Sequence, residues 1–284
     1  MMRGYDVTFA VLFVGVGIGL CIVMSIAWAI VVRGGRSGWV DATWSFATGA
    51  AGIAMALVPL SGWQQSATRP VIVALLAAIW SIRLGLHIAV RTLRGGDDPR
   101  YAQLRGEWGT DFPRRLFWFL QVQAGAALLL ALSIFVAARN PVPHLQIGDW
   151  LGIAILVIAI LGGGLADRQL ARFRDNPANR GKVCDAGLWG LSRHPNYFFE
   201  WLGWLAYVAI ALDLTGPYAW GWLAVSGPLF MYWLLVHVSG IPPLEAHMLK
   251  SRGEKFRAYQ ARVNAFWPGP SRYSSPQTSK GQAS

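Results

Sequence analysis

The residue types best suited to chemistry crowd into one stretch, 167–204, whose centre reads LWGLSRHPNYFFEW. Pro195 predicts a helix start there, because proline suits the first helical position, where its missing N–H costs nothing. From that start Asn196 and Glu200 lie four residues apart and share a helix face. Arg193 and His194 come just before it, at the end where unpaired backbone N–H groups carry partial positive charge. An anion-attracting helix start with a carboxylate one turn in is a place to hold a phosphorylated or polar cofactor beside a membrane.

Two further groups stand out against apolar surroundings. Asp41 sits just inside an apolar run, in Trp39-Val40-Asp41-Ala42-Thr43-Trp44. An intramembrane carboxylate is a functional candidate, although an acid at a helix N-terminus is also satisfied by the helix dipole. Farther on, Arg83, His87 and Arg91 recur at i, i+4 and i+8, with Trp80 on the same face. An arginine that deep in an apolar run needs a cavity or a carboxylate to face, whereas Arg91 alone can snorkel to the interface. Asp167 and Arg174, seven residues apart, again share a face.

The elements that must position these groups are apolar helices. Hydrophobic residues make up 54% of the 284 residues and charged ones 14%, against about 25% charged in ordinary soluble domains. Seven runs, near 7–32, 40–60, 70–90, 117–137, 148–167, 197–214 and 218–239, approach the roughly 20 helical residues that cross a hydrocarbon core. The sequence therefore predicts an all-α polytopic membrane protein, one seven-helix domain over 1–270. A cytoplasmic amphipathic segment at 241–267 closes that domain, and a disordered tail follows over 271–284. The first run is too long for a signal-peptide core and reads as a retained transmembrane helix. The triplet Gly162-Gly163-Gly164 predicts close approach of another backbone or a ligand. The segment 91–116 reads as a polar loop with Gly95-Gly96 and Asp98-Pro99 turn signals. Its Arg94, Arg100, Tyr101 and Arg105 either reach a cofactor or form a solvated positive face.

Charge sets the expected orientation. Alternate loops and the C-terminal tail hold 21 of the 25 Lys and Arg, which predicts an external N-terminus and a cytoplasmic C-terminus. The same distribution makes the net charge of +11 a matter of membrane topology rather than nucleic-acid binding. Cys21 and Cys184 offer no disulfide framework or zinc spacing, so no metal is expected. Gly15, Gly17 and Gly19 follow no strand and do not make a dinucleotide fingerprint.

The stretch 167–204 resembles the C-terminal domain of the steroid 5α-reductase family, and in particular its bacterial membrane-protein branch. The resemblance rests on Asp167 with Arg174, then Gly187-Leu188-Trp189, Arg193-His194-Pro195-Asn196-Tyr197, and Glu200-Trp201 with Gly203. Ile241-Pro242-Pro243-Leu244-Glu245 and the run 259–266 extend it, and Asp41, Trp44, Trp80, Arg83 and His87 match more weakly. The resemblance implies an oxidoreductase that reduces an enone C=C bond with NADPH, the cofactor lying in the cytoplasmic half of the bundle. It implies cofactor contacts at Asp167, Arg174, Lys182, Arg193, Asn196, Tyr197 and Glu200; Arg83, Arg94, Trp189, His194 and Glu245 complete the candidate set. Where that family has a glutamate and a tyrosine polarising the substrate carbonyl, this chain has Asp41 and Trp80, the candidate catalytic pair. An indole N–H can donate, and so can a carboxyl kept protonated by desolvation.

The expected setting is a bacterial inner membrane with the cofactor side in the cytoplasm, and the expected partners are a lipophilic enone, a steroid for instance, and the bilayer. A methyltransferase of the isoprenylcysteine or phospholipid type, using S-adenosylmethionine, is the alternative, because such proteins also carry an Arg-His-Pro-x-Tyr turn and a later glutamate. A transporter or lipid-binding protein is a third reading.

Overall fold

Apolar residues repeating at three and four positions make helices whose outward stripes are themselves apolar. Val11, Val14, Ile18, Ile22, Ile26 and Ile30 form one such exposed stripe on α1 (Arg3–Val32). Val71, Leu75, Ile79, Ile82, Leu86 and Val90 form another on α3 (Arg69–Arg94). A soluble helix would turn such stripes inward; here they are surfaces for lipid. The computed structural model describes residues 3–60, 68–95, 98–212, 216 and 218–272, and nearly all of the predicted tail lies outside them. The remaining helices are α2 (Gly38–Leu57), α4 (Pro99–Trp108), α5 (Phe112–Ala138), α6 (Ile147–Asp175), α7 (Pro195–Ala211), α8 (Ser226–Trp233), α9 (Ile241–Arg252) and α10 (Glu254–Arg262). Among the described residues there is no strand.

Among the described residues, five helical stretches are long and apolar enough to cross a membrane, rather than the seven predicted: Thr8–Val32, Arg69–Arg94, Arg100–Ala138, Ile147–Asp175 and Ala219–Arg252. The second and sixth predicted spans fall short for physical reasons. The 20 residues of α2 are diluted by Asp41, Ser45, Thr43, Thr48 and glycines, and α7 has 17 residues. The last stretch is wound unevenly, 3-10 over Ala219–Val225, α in α8, then a π turn over Leu234–Val238.

The segment 91–116 also departs from the predicted loop, because it contains α4. Asp98 and Pro99 act as a helix start rather than a turn: the Asp98 carboxylate accepts the N–H of Arg100 at 3.0 Å, and proline occupies the first turn, the arrangement preferred at an N-terminus. The predicted amphipathic segment is likewise two helices. Gly253, at φ +53°, ends α9 and opens α10 in a conformation that side chains rarely adopt.

The chain divides into two compact units, 1–161 with 200–234, and 162–199 with 235–284. In the first, α2 packs against α3, α5 and α1. Its layers are tied by a buried ion pair in which Asp149 accepts from Nε of Arg69 at 2.7 Å and Nη2 at 2.8 Å. Carbonyls of Asn140, Val142 and His144 take the remaining donors of that guanidinium. In the second unit Phe256, Tyr259 and Val263 form a small core with Val183, Met248 and Leu249 around it. One glycine of the triplet has a packing reason there: a Cβ on Gly162 would lie 2.3 Å from the Phe199 ring, whereas a Cβ on Gly164 would meet nothing within 4 Å.

Candidate functional site

In the first unit, the face of α3 opposite its lipid stripe is lined by Val73, Ala77 and Trp80, which sends Trp80 into the interior. Its indole N–H donates to Glu200 Oε1 at 2.6 Å, a short bond strengthened by the charge on the acceptor. Arg83, one turn on, brings Nη1 to 3.9 Å from Glu200 Oε2. Sequence reading predicted that Arg83 must face a cavity or a carboxylate; Glu200, near the start of α7, is the carboxylate beside it. Trp204, four residues after Glu200, packs its ring edge to face with Trp80 at 5.2 Å, and Tyr207 follows at 5.5 Å from Trp204.

The other candidate carboxylate of this unit is engaged differently. Asp41 Oδ2 is held in an ion pair with Arg100, and Asp41 Oδ1 accepts from the Tyr101 hydroxyl at 3.1 Å. Arg100 also donates to Asp98, and Arg91 reaches Asp98 at 3.3 Å. These bonds clamp α4 onto the beginning of α2 and the end of α3. They hold the Asp98 carboxyl below its usual range: burial pushes it up, but the guanidinium and N–H of Arg100 and the charge of Arg91 outweigh that. So the predicted stripe on α3 divides, Arg83 going to Glu200 and Arg91 to Asp98, with His87 exposed. Arg94 ends α3 in an exposed position.

Between α1 and α5 runs an apolar groove of about 740 Å³, lined by Gly17, Cys21, Ser25, Phe117, Gln121 and Leu128 among others. Its volume is that of a pocket for a small lipophilic molecule. Inside it Gln121 donates to Ser25 at 3.2 Å.

The second unit is built around Glu245 of α9. Its two oxygens accept from Arg193 Nε at 2.7 Å and Nη2 at 3.1 Å, from His194 Nε2 at 2.9 Å and from Gln260 at 2.6 Å. Arg193 turns its third nitrogen to the carbonyls of Gln260 and Val263. The turn before α7 is thereby pinned to the C-terminal segment, with help from Ser192, whose hydroxyl donates to the carbonyl of Phe266 at 2.9 Å. Trp189, buried, donates to Ala166 at 3.0 Å and accepts from the Tyr259 hydroxyl. His194 is 3% exposed and stacked on Tyr197 at 5.4 Å. Burial lowers its pKa, against the pull of Glu245, and the Arg193 charge adds to the lowering. Since its Nε2–H is directed at Glu245, the buried Nδ1, which has no hydrogen-bond partner, is left as a bare acceptor.

The remaining candidates of this unit lie along the end of α6 and the loop after it. Asp167 accepts from Asn196 at 3.4 Å, and Arg174 and Lys182 are exposed. Cations for phosphates, an Asp–Asn pair for ribose hydroxyls and a bare imidazole nitrogen for an N–H or O–H donor form a set whose chemistry fits a phosphorylated dinucleotide. Among the described residues no group of three or more His, Cys, Asp or Glu is placed to hold a metal.

Two features were missed in the sequence. The Asp41–Arg100 pair joins residues 59 apart, beyond any local pattern. Trp204 and Tyr207 were legible, since they continue the Asn196–Glu200 face at the same spacing.

The class defined by these features is an all-helical protein of membrane type, with a partly buried Trp–Glu–Arg cluster in one unit and an Arg–His–Glu cluster in the other. The chain belongs to the family described as "Protein of unknown function (DUF1295)", whose model matches residues 27–263. It is 24% identical over 274 residues, 86% of this chain and 76% of the other, to an uncharacterised protein of Schizosaccharomyces pombe. No solved structure matches it.

Proposed function

We propose that this protein is a membrane-embedded, NADPH-dependent reductase of an enone C=C bond in a lipophilic substrate, an enzyme of steroid 5α-reductase type. The observation that carries the reading is the short bond between Trp80 and Glu200, with Arg83 beside it, inside apolar helices. An ionised group in that setting is costly and marks function, and each of these residues matches a position in the family the sequence resembles.

In this reading Arg174 and Lys182 bind phosphates and Asp167 and Asn196 a ribose, and Glu200 keeps the cofactor role that the sequence resemblance implies. Trp80 and Arg83 are positioning residues that fix the carboxylate. NADPH, when bound, supplies a hydride for the β-carbon of the enone and leaves as NADP⁺, while a proton from water completes the α-carbon. Asp41, already accepting from Arg100 and Tyr101, acts as a positioning residue that orients the Tyr101 hydroxyl. The groove between α1 and α5 receives the substrate from the bilayer. We further propose that α2 and α7 cross the membrane, giving seven spans with the N-terminus outside. The basic loops and the cofactor then face the cytoplasm of a bacterial inner membrane.

The test is a thermal shift of the detergent-extracted protein with NADPH and with S-adenosylmethionine, together with mass spectrometry of copurifying small molecules. A shift of several degrees with NADPH, and recovered NADP(H), is the expected result. Stabilisation by S-adenosylmethionine alone would replace reduction by methyl transfer.

A further inference from the structure

Two polar atoms deep in the first unit have no hydrogen-bond partner: Trp204 Nε1 and the Tyr207 hydroxyl. Each residue is 1% exposed. A buried unsatisfied group is destabilising, so two in contact on one helix call for an explanation. They lie at i+4 and i+7 from Glu200, on the same face of α7, and Trp204 packs on the indole that holds Glu200.

Chemistry narrows what they await. An indole N–H only donates, and a tyrosine hydroxyl donates or accepts, so a single group that satisfies both is an acceptor with two lone pairs. Their apolar neighbourhood disfavours a charged acceptor, because burying an anion without a paired cation is expensive. A neutral carbonyl oxygen on a lipophilic molecule meets both conditions. The indole that packs on Trp204 is committed elsewhere, since Trp80 donates to Glu200. We propose that Tyr207 and Trp204 form an oxygen site, binding a ketone or ester carbonyl of the lipophilic ligand; as an enone site it rests on the reductase reading.

A wall of this site is an unevenly wound helix. Gly227, in the first turn of α8, lies close enough that a Cβ there would be 3.4 Å from the Trp204 ring and 2.6 Å from Ser133. The helix changes winding on both sides of α8. Runs of 3-10 and π winding recur at functional hinges, and this one gives the wall freedom to admit a ligand.

The experiment uses the full chain in detergent with cholest-4-en-3-one, carrying ¹³C at its carbonyl, as probe. Isotope-edited infrared spectra should show the carbonyl stretch moved to lower frequency on binding, and Tyr207→Phe should abolish most of that shift and weaken binding about tenfold. Trp204→Phe should weaken it less. Without probe, Tyr207→Phe should melt no lower than the wild type, since it removes an unsatisfied hydroxyl; a structural role would predict a loss. An unchanged carbonyl frequency and affinity in Tyr207→Phe, or no binding of the probe to the wild type, would overturn the site. NADPH oxidation is measured in parallel. A carbonyl shift without NADPH-dependent turnover supports the site and sinks only the reductase reading, whereas turnover without a shift sinks only the site.

Discussion

Glu245 and Glu200 are both glutamates about one-eighth exposed, each with an arginine as a neighbour, yet they are organised in opposite ways. Glu245 accepts four hydrogen bonds from three residues of its own unit, two of them from a guanidinium that meets it in fork geometry. Glu200 accepts a short bond from an indole, with Arg83 at 3.9 Å. Saturation of this kind holds a fold together, as bidentate Arg–carboxylate pairs do. Glu200 instead sits among apolar helices, one and two turns before Trp204 and Tyr207, whose indole N–H and hydroxyl have no hydrogen-bond partner. The difference teaches that the Arg-His-Pro-Asn turn, which looks like a ligand site in sequence, directs its arginine inward and leaves ligand chemistry to the residues around it.

The comparison breaks first where the largest effect is expected. Glu245→Ala should destabilise the second unit by about 3 kcal/mol, the low end for removing one partner of a buried ion pair. The melting temperature and the rate of proteolysis at 240–270 would read that loss. Glu200→Gln should do the reverse. The amide oxygen still accepts from Trp80, so the melting temperature should hardly move, while NADPH-dependent turnover should fall about 100-fold, the lower bound for removing a catalytic-site charge. Equal melting losses in the two variants would erase the distinction between them.

How much of this was written in the sequence follows from how local each feature is. The helix start at Pro195, the shared face of Asn196 and Glu200, and the need of Arg83 for a cavity or a carboxylate all come from spacing within a few turns, and the structure has them. The close approach predicted at the glycine triplet was legible for the same reason. What spacing could not supply was the identity of partners far apart in the chain. Arg193 finds Glu245 at a separation of 52 and Asp41 finds Arg100 at 59, so residues picked for a ligand are held by each other. The helix α4 was hidden because Asp-Pro serves equally as a turn signal and as a helix start. Only the 10 residues that follow, packed beside α5, decide between them.

Asp41 provides an intermediate case and the third prediction. Its ion pair with Arg100 is only partly shielded, at 18% and 32% exposure, so its worth is closer to a surface pair than to a buried one. Asp41→Asn keeps the shape and an acceptor for Tyr101 but removes the charge. It should cost about 1 kcal/mol, read as a lower melting temperature and faster cleavage in the 95–110 segment. Turnover should drop several-fold because the Tyr101 bond loses the charge that strengthens it. If turnover is unchanged at full occupancy of substrate, Asp41 is a clamp for α4 and nothing more.

The smallest effect is a pH dependence of the second cluster. His194 lies in the turn before α7, and burial lowers its pKa below the ordinary 6.5. Above that pH the ring is neutral folded and unfolded alike, and contributes no pH dependence. As pH falls below it, the unfolded chain binds a proton that the folded one excludes, so stability falls toward acid. The loss stops growing once the folded ring also protonates, and its slope cannot exceed about 1.4 kcal/mol per pH unit for one proton. Protonation of Nδ1 would also convert the only bare acceptor of the ring into a donor. Melting curves of the wild type between pH 7.5 and 5, followed by proteolysis at 240–270, should therefore show the second unit weakening toward acid. His194→Gln, which cannot titrate, should flatten that acid limb even if it lowers stability at neutral pH. A limb that survives the substitution would place the titrating group elsewhere.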